Sequence, residues 1–142
     1  MNGMSDRIFV DTNILIYAHD KDAGKKHGVA SMLVENLWGN HLGVLSTQVL
    51  QEFYVNITRK IRKPVTKAAA AAYVERYFVW PVIRLSAGTI RKAFEIEIRA
   101  KLSFWDAMIV SAAFQAGAAK ILSEDLNPGQ IVAGIRIVNP FE

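Results

Sequence analysis

A chain of 142 residues can bury one real core, and at 51% hydrophobic and 21% charged it has the composition of one globular domain, here 1–142. With no cysteine it has neither a disulfide framework nor a thiolate metal site, which fits a reducing cytoplasm. No apolar run approaches the ~20 residues of a membrane span, and the start, with Met4 as a second candidate initiator, lacks a signal-peptide core, so no membrane role is expected. The net charge of +4 suits an anionic partner such as nucleic acid, and suits an ordinary soluble protein as well.

In chain order, Arg7-Ile8-Phe9-Val10 reads as a buried strand, with a helical turn over 12–20. Residues 27–38 carry Val29, Met32, Leu33 and Leu37 at helical spacing, and Gly39 is the expected stop. Residues 43–46, GVLS, form a short strand. Ser46 or Thr47 then caps a helix to about Arg62, with Val49 or Leu50, Phe53, Ile57 and Ile61 as its apolar stripe and Pro64 ending it. The stretch 58–67 carries Arg59, Lys60, Arg62, Lys63 and Lys67 and no acid, either a phosphate-contacting rim or a solvated helix end.

Thr66 opens a helix through about Phe78, which Pro81 breaks, and 81–85 is a short strand. Ser86 caps a helix to about Leu102. Ser103 caps the next, 104–117, which is apolar almost all round and therefore central, and Gly117 ends it. Residues 119–123 and 135–139 are further strands. Strands alternating with helices predict an α/β fold with a parallel sheet covered on both faces, and ligands at the carboxyl ends of its strands.

That rule selects four acids. Asp11 follows the first strand and Asp125 follows 119–123. Glu52 lies about one and a half turns into the helix after 43–46, and Asp106 lies in the first turn of the helix capped by Ser103. Each also has a plain structural reading: Asp11 as a helix cap, Asp106 as the acid of an S-x-x-D capping box, Asp125 as a loop residue, Glu52 as a solvated helix residue. Glu52 and Asp106 stand beside apolar stripes, and no lysine or arginine occurs from 102 to 119 to compensate Asp106. Clustered carboxylates without His or Cys suit Mg²⁺ or Mn²⁺. With a basic rim, that chemistry points to phosphodiester hydrolysis. Asn13 and Ser123 are placed to orient the carboxylates of Asp11 and Asp125.

The blocks FVDTNILIYAHD, QVLQEFYVN, SFWDAMIVSAA, ILSEDLNPGQ and IRIVNPF resemble, in order from 8 to 141, the PIN-domain ribonuclease toxins of toxin–antitoxin pairs, the VapC type. The resemblance implies an α/β/α sandwich with a parallel sheet of about five strands flanked by helices. It implies that Asp11, Glu52, Asp106 and Asp125 hold divalent metal and are catalytic, supported by Asn13 and Ser123; whether the adjacent acid Glu124 shares the fourth role is left open. It also implies hydrolysis of RNA such as transfer or ribosomal RNA by a metal-activated water, silencing by a small antitoxin protein, and a homodimer. Arg59, Lys60, Arg62 and Lys63 would then steer RNA. Trp105 is open to a base-stacking role, although its apolar helix favours the core. His19, His27 and His41 fit no His-based mechanism. The rivals are another PIN-like metal-dependent nuclease or phosphohydrolase acting on DNA or phosphate esters, and a degenerate binding module. Asn13 two residues after Asp11 counts against an aspartyl-phosphate enzyme, and the presence of all four acids counts against the degenerate module.

Overall fold

The structure, a computed structural model, describes residues 6–142, so Met1 to Ser5, with the alternative start Met4, lie outside the described residues. Six strands form one sheet in the order β3-β2-β1-β4-β6-β5. They are β1 (Ile8–Val10), β2 (Gly43–Ser46), β3 (Val82–Ile83), β4 (Lys120–Leu122), β5 (Ile131–Val132) and β6 (Ile135–Val138). Five of them run parallel, and β5 pairs antiparallel with β6 at the edge. The parallel part is the expected sheet of about five strands. Phe9, Val10, Val44 and Leu45 are fully buried, as strands covered on both faces must be.

Among the described residues six α-helices cover the sheet: α1 (Thr12–His19), α2 (Lys25–Asn40), α3 (Thr47–Arg59), α4 (Lys67–Tyr77), α5 (Ala87–Ala100) and α6 (Phe104–Gln115). The chain steps from β1 to β2 to β3 in one direction and returns to β4 on the other side of β1. Right-handed crossovers therefore put α1 to α4 on one face and α5 with α6 on the other. The strand order reverses between β1 and β4, where a doubly covered parallel sheet opens a crevice at its carboxyl edge. Val10 and Leu122 are in register, so both strands end side by side at that crevice.

The helix ends follow local chemistry. Ser46 caps α3, its hydroxyl accepting from the Val49 N–H, and Ser86 with Thr89 forms a reciprocal capping box on α5. Two helices differ from the sequence expectation. α2 begins at Lys25 and runs past Gly39 to Asn40, because His41 takes the left-handed position (φ 60°) and returns its N–H to the Leu37 carbonyl. Its buried face is Ala30, Val34 and Leu37, while Val29 and Met32 are exposed. α3 ends at Arg59, short of Arg62. At β2 the ring of Trp80 lies so close to Gly43 that a Cβ there would stand 2.5 Å from it, so glycine is required for the indole to cover the strand.

Candidate active site

Asp11 sits where β1 meets α1. Its backbone N–H donates to the Leu122 carbonyl (3.0 Å), which ties the ends of β1 and β4 together. One carboxylate oxygen caps α1 by accepting from the Thr12 N–H (2.7 Å), and the other accepts from the Ser123 hydroxyl (2.7 Å). The Ser123 hydroxyl accepts the N–H groups of Asp125 (3.2 Å) and Leu126 (3.3 Å), so its proton is turned toward Asp11. Capping and site-building are thus the same bonds.

Thr12, buried, donates its hydroxyl to Glu52 (2.6 Å), and Gln48 donates to the other Glu52 oxygen (3.3 Å). The side chain of Asn13 bridges: its amide N–H donates to Asp125 (3.1 Å) and its oxygen accepts the Glu124 N–H (3.1 Å). Asp106 follows from the Ser103 cap, whose hydroxyl accepts the Asp106 N–H (3.2 Å). Asp11, Glu52, Asp106 and Asp125 all line one open cavity of about 640 Å³ at the crevice, together with Thr12, Asn13, Gln48 and Lys60.

The charges in this cavity act on one another. Burial pushes the Asp11 carboxyl up to about 6; the bonds from Ser123 and Thr12 work against that rise, and the nearby Glu52 and Asp125 add to it. Burial also raises Asp106, opposed by Ser103 and assisted by Asp125 and Glu52. Among the described residues Lys60 is the only cationic side chain in the lining. Such a wall calls for positive charge.

The donor set decides which cation fits. Each of the four acids offers oxygen, and the buried Oε1 of Gln48, whose amide N–H is already given to Glu52, has no protein partner among the described residues. Among the described residues no three His, Cys, Asp or Glu side chains are close enough to grip one ion directly. The arrangement therefore suits a hard cation that keeps several of its waters, as Mg²⁺ does, with Gln48 free to accept from one of them.

The PIN domain family model matches residues 8–131 of the chain. The chain belongs to the PIN-domain family. PIN nucleases generally use divalent metal. Solved structures share the fold. The sarcin-ricin loop cleaving toxin VapC20 of Mycobacterium tuberculosis is 24% identical with a TM-score of 0.63, covering 83% of this chain and 89% of its own. VapBC2 of Rickettsia felis, bound to a DNA fragment from its promoter, is 17% identical with a TM-score of 0.64 over 92% and 96%. A toxin-antitoxin complex of Klebsiella pneumoniae is 18% identical with a TM-score of 0.67 over 96% and 99%. No curated protein matches the chain.

In this PIN domain the remaining sequence candidates take different places. Glu124 turns away from the cavity: its carboxylate accepts from the Tyr17 hydroxyl (2.6 Å) and pairs with Lys26, and it is not part of the cavity wall. Arg59, Arg62 and Lys63 are exposed beyond the wall that Lys60 joins. Trp105 is corrected most. It is 65% exposed and lines the cavity instead of entering the core. His27 bonds the Tyr17 carbonyl (2.9 Å) and His19 the Tyr77 hydroxyl (2.7 Å). Sequence reasoning missed Thr12 and Gln48. Thr12 stands inside the D-T-N triplet that drew attention to its neighbours, and only the fold brings its hydroxyl to Glu52.

Proposed function

We propose that this PIN domain is a Mg²⁺- or Mn²⁺-dependent endoribonuclease, the toxin of a toxin–antitoxin pair. One observation carries the reading: carboxylates from four separate segments, Asp11, Glu52, Asp106 and Asp125, share one open cavity with a single cation, Lys60, in its wall. The likeness to VapC folds supports the toxin assignment.

A bound divalent cation supplies Lewis-acid stabilisation of the charge growing on a scissile phosphate and makes water a nucleophile near neutral pH. The chain's own residues do the holding. Asp11, Asp106 and Asp125, with Glu52, would hold the cation, in part through the waters it keeps. Ser123 and the Thr12 N–H keep Asp11 ionised against burial. Thr12 fixes Glu52 and Asn13 fixes Asp125, each through a hydrogen bond to one carboxylate oxygen. Lys60 meets the phosphate backbone, and Arg59, Arg62 and Lys63 extend that basic run outward. The chain acts as one domain over 1–142, in the cytoplasm, as a homodimer held silent by an antitoxin protein. No helix among the described residues is long and apolar enough to cross a membrane.

The test is cleavage of total cellular RNA by purified protein in Mg²⁺ or Mn²⁺, beside EDTA and Asp106→Asn. Discrete cuts that vanish in EDTA and in the variant are expected. Cutting that survives in Asp106→Asn would remove the site; cutting of DNA but not RNA would keep the chemistry and change the substrate.

A further inference from the structure

Among the described residues Trp105 is the only aromatic side chain in the wall of the acid cavity, as Lys60 is its only cation. Its helix is buried without a break from Ala107 to Ala113, so the indole is not placed by a shortage of core positions. It stands on the first turn of α6 beside Asp106, 65% exposed. One edge is braced by Phe104 (centroids 5.1 Å apart, 74° between planes), which in turn packs against Phe94 (5.9 Å). The other exposed apolar side chains of this region, Ile90, Phe94, Ile98 and Phe114, are not in the cavity wall.

We infer that Trp105 is a stacking platform for a nucleobase next to the scissile phosphate, so that an unpaired base gains a contact here that a base inside a duplex does not. The inference rests on the ribonuclease reading and adds the side chain that meets the base. A nucleotide strand brings phosphate and base to the same few ångströms. The cavity offers carboxylates for a cation that meets phosphate, an ammonium for the backbone, and one braced π-face for a base. A base can lie on an indole only when its own face is free, and in a duplex both faces are covered by neighbouring pairs. Stacking tolerates every base, so Trp105 favours an unpaired base and leaves sequence choice to other contacts.

The experiment uses the whole chain in Ca²⁺, which takes the same oxygen ligands, with a labelled mixed-sequence RNA 12-mer, free or annealed to its complement, the RNA checked intact afterwards. Affinity by anisotropy, indole emission and oligomeric state by light scattering are read for wild type, Trp105→Ala and Trp105→Phe. The free strand should quench emission in wild type, and Trp105→Phe should abolish that quenching because Trp80 is buried and Trp38 half-buried. Trp105→Ala should weaken the free strand about tenfold or more and the duplex by less than about twofold, with Trp105→Phe recovering most of the loss. Unchanged affinity in Trp105→Ala, an equal loss on both RNA forms, or a loss that tracks a change in oligomeric state, overturns the inference. Trp105-dependent binding without cutting in Mg²⁺ keeps the platform and removes the nuclease reading. Failure of wild type to bind either RNA removes both.

Discussion

The two ends of α1 bury a titratable group each, and they treat it in opposite ways. At the first end, burial pushes Asp11 up to about 6, yet two donors hold its charge while Glu52 and Asp125 press on it. At the last end, burial pushes His19 down to about 4, with Arg76 and His27 adding to the fall. Its ring lies among Phe53 (5.0 Å), Tyr73 (4.6 Å) and Tyr77 (5.7 Å). The two shifts are similar in size, and size alone would nominate both as functional. The surroundings separate them. Asp11 keeps its charge among like charges and donors, which is useful only with a cation. His19 discards its charge into an aromatic nest, which is packing.

The largest effect should come from neutralising the first end. Asp11→Asn is expected to lower RNA cutting by roughly a hundredfold or more, the scale of losing one charged group at a reacting centre. A steady-state cleavage assay in Mg²⁺ reads it. Loss of less than about threefold would mean that Asp11 is only the cap of α1.

Next come the pH slopes, which have opposite signs. Asp11 titrates near 6 folded and 3.8 unfolded, so the folded chain binds more protons between these values, and stability rises as pH falls through the window. His19 titrates near 4 folded and 6.5 unfolded, so the unfolded chain binds more protons, and stability falls as pH drops from 6.5 to 4. Each term is worth at most about 3 kcal/mol, and in wild type they largely offset. Metal-free urea unfolding between pH 6.5 and 4.5 should expose one term in each variant. His19→Gln should gain stability on acidification relative to wild type, and Asp11→Asn should lose it. Parallel slopes in all three proteins would refute the contrast between the two ends.

The same contrast shows what a sequence can carry. Asp11 and Asp125 were legible because a buried strand has to end somewhere, and β1 and β4 flank the point where strand order reverses. Glu52 and Asp106 were legible as acids that stand beside apolar stripes. Periodicity reports how apolar a helix face is but not how far the neighbouring element extends. Met32 therefore read as stripe although α2 packs through Ala30, Val34 and Leu37. Trp105 read as core because α6 is apolar all round, although its first turn reaches the crevice, where nothing covers it. The β5–β6 hairpin was missed for its size. A strand of two residues shows no period, and the turn rests on Ala133 (φ 52°) and Gly134 (φ 79°), with alanine in the left-handed conformation as a poor advertisement for a hairpin.

Thr12→Val sharpens the picture inside the acid end. The variant keeps the shape and removes the donor that fixes Glu52 (2.6 Å). About a tenfold loss of activity is expected, with a stability cost of about 1 kcal/mol, measured by cleavage kinetics and urea unfolding. Activity at the wild-type level would show that Gln48 alone orients Glu52.

The smallest effect probes how far from the cavity the holding extends. Asp125 is exposed, so its position depends on the bridge from Asn13, which also grips the Glu124 N–H. The Glu124 carboxylate in turn is held by Tyr17 and Lys26. Burial raises its pKa, but the donors from Lys26 and Tyr17 outweigh that and leave it lowered, so the grip is on the carboxylate form. Asn13→Ala cuts the bridge itself and should weaken Mn²⁺ binding, followed by calorimetry, about tenfold. Tyr17→Phe removes one hydroxyl, leaves Lys26 in place and preserves the edge-on ring contact with Phe141 (5.4 Å), so a loss of roughly twofold is expected. Equal losses in the two variants would mean that the whole loop, and not the Asn13 bridge, positions Asp125. Because the Tyr17 ring still fills its place in Phe, such a result would move control of the fourth acid from the mouth of the cavity to the contact between α1 and α2.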